Sequence, residues 1–138
     1  HFFSPANVMK LLEVVRGANS APEAMAFGQA FARMIDKIPL PVNSAPGFLV
    51  NRVLGPYMMA ALQRVERGEA KEKIDEAART FGMPMGPVEL ADTVGLDVCA
   101  SVGNILKMAP TGGSKLDQMV AAGKLGKKSG EGFYSWQS

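Results

Sequence analysis

Three residues of this sequence have side chains suited to a proton-transfer site. His1 is the single histidine, and imidazole is the side chain that ordinarily exchanges protons near neutral pH. Glu13 is the one charge inside the apolar run 11–15, where a buried carboxylate without a partner is costly. Asn51 is a polar residue near the start of an apolar helical segment. Together they could supply a base, a carboxylate that orients it and an amide that positions a substrate.

Each of these residues also has an ordinary structural interpretation. A histidine at the first position can be an exposed terminus or the remnant of a tag. Glu13 can point to solvent from a half-exposed strand, and Asn51 can be a capping or core amide whose hydrogen bonds are satisfied. The residue types and spacing alone leave both interpretations open.

Other catalytic and ligand-binding patterns are missing from the sequence. It contains neither GxGxxG nor GxxxxGK[ST], and the glycine-rich tail 126–132 resembles a phosphate loop only in composition. No serine lies in a nucleophile elbow. One histidine and one cysteine, Cys99, cannot form a zinc site of the usual ligands, so we expect no metal.

Composition favours a globular protein of the reducing cytoplasm. Of the 138 residues, 47% are hydrophobic and 20% charged, and the net charge of +2 is too small to favour nucleic acid or a membrane surface. No apolar run approaches the roughly 20 residues that span a bilayer. The first ten residues lack the features of a signal peptide, and the chain starts without Met. We therefore expect an excised piece of a longer cytoplasmic polypeptide.

The first 43 residues predict a strand, a helix and a second strand. The apolar run 11–15 has the length of a buried strand, and Ser20 is the expected cap of a helix that opens at Ser20 or Ala21 and continues to Lys37. Residues 38–42 contain two prolines that each remove a ladder donor, which restricts this segment to an edge strand.

Five helices are predicted after Ser44. Their expected spans are 48–68, 71–81, 87–94, 96–108 and 116–122. Pro56 should kink the first of them, and the second should turn Ile74, Ala77, Ala78 and Phe81 inward. The segment 110–113 should break the chain.

Four blocks of the sequence, in order, resemble the L-3-hydroxyacyl-CoA dehydrogenase family. They are HFFSP with the following VMKLLEVVRG (1–17), PGFLVNR (46–52), FGMPMGPVEL with its downstream Asp92 and VGLD (81–97), and GKKSGEGFY (126–134). The resemblance covers essentially the whole chain. It implies a mainly α fold, in which 46–138 form the all-helical C-terminal domain. Residues 1–43 would be the last strand-helix-strand of a nucleotide-binding α/β domain.

The resemblance implies a function as well. Family members oxidise 3-hydroxyacyl-CoA to 3-oxoacyl-CoA with NAD in fatty acid β-oxidation. In this sequence His1 matches their general base, Glu13 its carboxylate partner and Asn51 their substrate-contacting asparagine. Lys128 matches a tail lysine that approaches the cofactor. Ser4 stands where many members have a cofactor-contacting Asn. A serine keeps a hydroxyl donor and acceptor but lacks the carbonyl and NH₂ sides of the asparagine amide.

The same resemblance bears on partners and completeness. The family's glycine-rich loop is not in this sequence, so NAD would be bound mainly by a missing N-terminal domain and the fragment would be inactive. An acyl-CoA substrate and a homodimer are expected, and the parent could be a single-activity or a multifunctional enzyme. Two non-enzymatic alternatives remain. One is a helical dimerisation or interaction module, and the other is an acyl-CoA or lipid carrier that uses the Met-rich segment 57–59.

Overall fold

A computed structural model of the chain describes residues 1–108 and 113–136. The chain divides into two compact units, His1–Arg52 and Val53–Ser138. Within the described residues it forms six α-helices and one two-stranded parallel sheet, which confirms the mainly α prediction. None of these helices combines the length and the apolar character that a bilayer span requires. The predicted chain break at 110–113 lies outside the described residues except for its last glycine.

The first unit contains the predicted strand, helix and strand. These are β1 (Leu11–Arg16), α1 (Pro22–Met34) and β2 (Ile38–Asn43), and β1 pairs with β2 in parallel. Pro39 and Pro41 stand opposite Leu12 and Val14, at alternate positions of β2. Successive residues of a strand point their N–H groups to opposite sides. The residues of β2 between and beside the prolines can therefore still donate their N–H groups to β1.

Helix α1 starts without the cap that the sequence predicts. The prediction of Ser20 as the N-cap is wrong: Ala21 occupies that position and has no side-chain cap. The Ser20 hydroxyl instead accepts the N–H of Gly17 at 2.9 Å and closes the turn between β1 and α1. Pro22 provides the helix start through its fixed φ. At Gly28 an added Cβ would come within 3.0 Å of Val14, so the helix lies close to β1.

The second unit consists of helices and a tail. The helices are α2 (Val50–Glu66, which begins at the end of the first unit), α3 (Lys71–Phe81), α4 (Pro87–Val94), α5 (Leu96–Ile105) and α6 (Lys115–Ala121). The predicted bounds of α3 and α4 are confirmed, and α5 ends three residues before its predicted end. Helix α2 continues through Pro56.

The core of the second unit is built mainly from α2, α4 and the start of α5. Its buried members are Met58, Met59, Leu62, Val65, Val88, Ala91, Leu96, Leu116 and Phe133. Gly55 brings α2 close to the end of α5, because a Cβ there would meet the Leu106 side chain at 3.0 Å. The Met-rich segment of α2 is therefore core packing in this unit.

The inward face of α3 differs from the prediction. Phe81 is 89% exposed and Ala77 is exposed, so their predicted inward orientation is wrong. The face turned inward carries Lys71, Ile74, Asp75 and Ala78, of which Asp75 is completely buried. The helix is rotated because the Asp75 carboxylate accepts hydrogen bonds from the N–H groups of Val88 (2.8 Å) and Glu89 (3.0 Å) at the start of α4.

A second buried carboxylate fixes the tail of the chain. Asp92 accepts the N–H groups of Phe133 (2.9 Å) and Tyr134 (2.8 Å) and the indole N–H of Trp136 (2.8 Å). The Tyr134 hydroxyl in turn donates to Asp75 at 2.8 Å. Two glycines leave room for these carboxylates, because a Cβ would overlap the Asp75 carboxylate at Gly86 and the Asp92 carboxylate at Gly132. At Gly126 a Cβ would overlap the backbone of Asp92. The tail is thus held by charged acceptors rather than by apolar packing alone.

Candidate active site

Backbone pairing places His1 beside Glu13. The terminal amino nitrogen of His1 donates to the backbone carbonyl of Glu13 at 2.8 Å, and the Glu13 N–H donates to the His1 carbonyl at 3.1 Å. The neighbouring residues Phe2 and Leu12 form an isolated antiparallel bridge. Residues that exchange both hydrogen bonds in an antiparallel pair lie directly opposite with their side chains on one face. Two residues distant in sequence are therefore adjacent.

The two side chains form a short hydrogen bond. His1 Nδ1 lies 2.7 Å from Glu13 Oε2, and the carboxylate is completely buried while the imidazole is 30% exposed. A carboxylate only accepts, so this contact favours the neutral tautomer with its proton on Nδ1. The lone pair of Nε2 then remains on the other side of the ring, where it can take a proton from a reactant.

The other oxygen of Glu13 is held by the start of α2. Oε1 accepts the N–H groups of Leu49 (3.0 Å) and Val50 (2.9 Å). These amides face the carboxylate because the chain reverses at Gly47 and Phe48, whose φ angles are 76° and 47°. The same reversal makes α2 begin later than predicted, since residues in the left-handed region cannot continue a right-handed helix. The carboxylate is thus satisfied by two amides and one imidazole.

Two phenylalanines confine the imidazole. The ring centroid of Phe3 lies 4.8 Å from that of His1, and the centroid of Phe48 lies 5.3 Å away, both at tilted angles. Tilted aromatic contacts at these distances are attractive and limit ring rotation. The ring is therefore oriented by packing as well as by its hydrogen bond.

Asn51 lies in the same first turn of α2. It follows Val50, whose N–H binds Glu13, and its side chain is half-buried. Within residues 1–108 and 113–136 its amide has no hydrogen-bond partner, so it is available to a ligand. The structure brings the Asn51 backbone to the edge of the His1–Glu13 pair; its contact with substrate stays a prediction.

The two predicted cofactor contacts have different surroundings. Ser4 is exposed and lies three residues after His1. Lys128 belongs to the second unit, in a single turn of 3-10 helix, and its ammonium contacts both oxygens of Asp97 at 2.6 and 2.7 Å. Hydrogen bonding to Lys128 lowers the pKa of the Asp97 carboxyl below its usual range. At Gly95 a Cβ would come within 3.0 Å of the Lys128 ammonium, which shows how closely this pair is packed.

In the described part of the first unit, the Gly17 amide in the turn after β1 is already hydrogen-bonded. The turn between β1 and α1 is the place where such a sheet could present free amides to a phosphate. There the Gly17 N–H is already bound by Ser20, whose own N–H donates back to Gly17. This turn therefore offers no free Gly17 amide to a phosphate, and the contacts of Ser4 and of Lys128 with a cofactor stay predictions. Among the described residues no cluster of side chains is suited to a metal ion.

Several groups of the site could not be identified from residue types. They are the backbone amides of Leu49 and Val50 and the rings of Phe3 and Phe48. The one available signal was Pro46-Gly47 immediately before an apolar helix, which indicates a sharp turn but not its target.

The chain matches two protein-family models, which together cover nearly all of it. Residues 47–136 match the family model described as 3-hydroxyacyl-CoA dehydrogenase, C-terminal domain. Residues 1–45 match the model described as 3-hydroxyacyl-CoA dehydrogenase, NAD binding domain.

Individual relatives and solved structures are similar as well. The whole chain is 40% identical to part of the fatty acid oxidation complex subunit alpha of Pseudomonas savastanoi pathovar phaseolicola. It superimposes with a TM-score of 0.91 and 37% identity on (S)-3-hydroxybutyryl-CoA dehydrogenase of Ralstonia eutropha. For 3-hydroxybutyryl-CoA dehydrogenase of Escherichia coli the TM-score is 0.89 and the identity 40%.

All three relatives are longer than this chain. The chain is covered completely in each case, but it spans 20% of the Pseudomonas protein, 51% of the Ralstonia chain and 31% of the Escherichia chain.

Proposed function

We propose that this chain, which belongs to the 3-hydroxyacyl-CoA dehydrogenase family, supplies the general base of an NAD-dependent enzyme that oxidises L-3-hydroxyacyl-CoA to 3-oxoacyl-CoA in fatty acid oxidation. The observation that carries the proposal is the 2.7 Å hydrogen bond between His1 Nδ1 and the buried Glu13 carboxylate. It leaves Nε2 as the proton acceptor of the site. The names of the relatives support the substrate class and the pathway.

In this mechanism His1 takes the proton of the substrate's 3-hydroxyl group. The O–H bond breaks toward Nε2, the C–O bond becomes a carbonyl, and the ring becomes an imidazolium. NAD, when bound, supplies the acceptor for the hydride of C3. Positioned proton transfer of this kind contributes roughly 10²–10⁴-fold to a rate.

Glu13 stabilises the cation that forms on His1. Its carboxylate is already ordered by the amides of Leu49 and Val50, so no rearrangement is needed when the ring gains its proton. The carboxylate is completely buried, and in such surroundings its attraction for the imidazolium is stronger than in water. The same contact holds the ring with Nε2 directed at the reactant.

Asn51, Ser4 and Lys128 have supporting roles in the proposal. The half-buried Asn51 amide, which lacks a partner among the described residues, would hold a substrate oxygen or the thioester carbonyl. Ser4 and Lys128 would contact NAD at its edge. Because the chain offers no phosphate cradle, most NAD contacts must come from residues outside these 138, and the chain alone would be inactive.

The organisation of the whole protein is part of the proposal. The family models meet between residues 45 and 47, which supports a division into 1–43 and 46–138. A relative named as a subunit of a fatty acid oxidation complex supports a multifunctional bacterial parent that acts in the cytoplasm. A homodimer formed through the helical domain follows from the family resemblance.

The proposal is tested in the longer polypeptide that contains this chain. With a 3-hydroxyacyl-CoA and NAD, Glu13→Gln should lower turnover roughly 10-fold or more, because the amide cannot neutralise an imidazolium. KM for NAD should change little. His1→Gln should lower turnover further, to about 10²–10⁴-fold below the parent.

A matched control uses another acidic residue of the first unit. Asp36 forms an exposed ion pair with Lys10, so Asp36→Asn should leave turnover unchanged. Full activity of the His1 variant would refute the assignment of the base. Absence of 3-hydroxyacyl-CoA oxidation by the parent polypeptide would refute the function itself.

A further inference from the structure

The first unit contains a cavity that the proposed reaction does not use. Its volume is about 520 Å³, and it opens at the carboxyl ends of β1 and β2. Apolar side chains of α1, β2 and the segment before α2 form most of its wall, and two polar residues complete it. The principal lining residues are Arg16, Met25, Val42, Asn43, Phe48 and Leu49. A volume of this size falls within the usual range of small-molecule sites.

The two polar lining residues lie side by side. Arg16 and Asn43 are the last residues of their strands and are register partners in the parallel pair. Partners on neighbouring strands have their side chains on the same face, so the guanidinium and the amide can reach a common ligand. Within the described residues Arg16 has neither an ion pair nor a side-chain hydrogen bond. A guanidinium without a carboxylate partner at the wall of a cavity is suited to an incoming oxyanion.

The position of the cavity in the fold supports a ligand. Open α/β sheets bind their ligands outside the carboxyl ends of parallel strands, where strand-end side chains converge. The cavity occupies that edge of the β1–β2 pair.

Phe48 connects the cavity with the His1 site. Its ring lies 5.3 Å from the imidazole centroid and also lines the cavity. Its φ of 47° is a left-handed conformation that is strained for a bulky residue, and such strain tends to occur at functional sites. The Phe48 ring therefore separates the His1 imidazole from this cavity.

We propose that this cavity binds an organic oxyanion, a carboxylate or phosphate ester on a short apolar body. Arg16 and Asn43 donate to the oxyanion, while Met25 and Leu49 pack against the apolar part. The site is separate from the His1–Glu13 pair and does not depend on the dehydrogenase reaction.

The test is a titration of the 138-residue chain followed by NMR. The probes are hexanoate, hexyl phosphate and hexanol, and the readouts are the side-chain N–H signals of Arg16 and Asn43. Hexanoate or hexyl phosphate should give saturable shifts that weaken with added salt, and hexanol should give none. The tighter of the two anions identifies the oxyanion that the site prefers.

Matched variants locate the charge. Arg16→Met should weaken anion binding at least about tenfold, and Asn43→Asp should do the same through repulsion. Arg33 is an exposed arginine near the end of α1 that does not line the cavity, so Arg33→Met should bind as the parent does. Arg16→Lys keeps the charge and provides a second variant if Arg16→Met does not fold; it should bind with intermediate affinity.

Three results would overturn the proposal. The first is the absence of saturable shifts with both anions. The second is hexanol binding as tightly as hexanoate, which would leave only apolar packing. The third is equal weakening by Arg16→Met and Arg33→Met, which would indicate a diffuse charge effect. None of these results bears on whether the parent polypeptide is a dehydrogenase, because no readout involves activity.

Discussion

Replacing Asp92 with Asn tests how the buried carboxylates hold the second unit together. Asp92 is completely buried and accepts three hydrogen bonds, one on Oδ1 from Phe133 and two on Oδ2 from Tyr134 and Trp136. An asparagine amide has only one oxygen. In its better orientation that oxygen keeps the two donors of Tyr134 and Trp136, and its NH₂ group then faces the N–H of Phe133.

The size of the effect follows from this geometry. Hydrogen bonds to a charged acceptor contribute about 1.5–3 kcal/mol each, and bonds to a neutral one about 0.5–1.5 kcal/mol. Asp92→Asn loses one bond and weakens two by about 1–1.5 kcal/mol each, so the free energy of unfolding should fall by about 3–6 kcal/mol. Because whole domains are stable by only about 5–15 kcal/mol, this is a large fraction. The urea midpoint should fall by roughly 1.5–3 M.

The assay is urea denaturation followed by tryptophan fluorescence. Trp136 is the only tryptophan and donates directly to Asp92, so its emission reports the docking of the tail. The control is Glu131→Gln in the same tail, which removes only an exposed pair with Lys124 and should change stability by less than about 0.5 kcal/mol. If Asp92→Asn denatures within that margin of the parent, the carboxylate does not hold the tail.

Three further predictions concern reactivity, ionisation and cofactor binding. Burial raises the pKa of the Cys99 thiol from 9.0 to about 11, so iodoacetamide should alkylate it about 100-fold more slowly in the folded than in the unfolded chain; equal rates would contradict this. Because the pKa of the Cys99 thiol is higher in the folded chain, the free energy of unfolding should fall as pH rises from 9.0 to about 11. Lys128→Met should raise the pKa of the Asp97 carboxyl in an NMR titration, because the hydrogen bond from Lys128 is what lowers it. The pair stabilises the fold at pH values above the ordinary Asp range and not below it. An unchanged titration would be contrary evidence. Calorimetry of the isolated chain with NAD should detect no micromolar binding, and such binding would require a cradle within these residues.

Local signals in the sequence were sufficient for most of the fold. Apolar periodicity with proline and glycine at the boundaries located α3 and α4 at their observed bounds, because these features act within a few residues. The start of α2 was missed because it depends on the left-handed conformation of Phe48, a residue type that rarely adopts it. The predicted Ser20 cap does not form because its hydroxyl binds the Gly17 N–H instead, and the two contacts are equally local.

The burial of Glu13 and the burial of Asp75 differ in how far the sequence indicates them. Glu13 lies in a strand between apolar neighbours, so the sequence left two alternatives: a carboxylate that faces solvent, or a buried carboxylate with a cationic partner. The structure has the second alternative, with His1 as the partner, and the catalytic roles of both residues stay predictions. Asp75 lies in a helix with many charged residues, most of which can face solvent. Its hydrogen-bond partners, Val88 and Tyr134, are 13 and 59 residues away in the sequence. Periodicity places such a residue outside by default. Apolar neighbours on a strand therefore make a buried, partnered acid one of the alternatives that a sequence indicates, whereas a charged helix gives no sign of one.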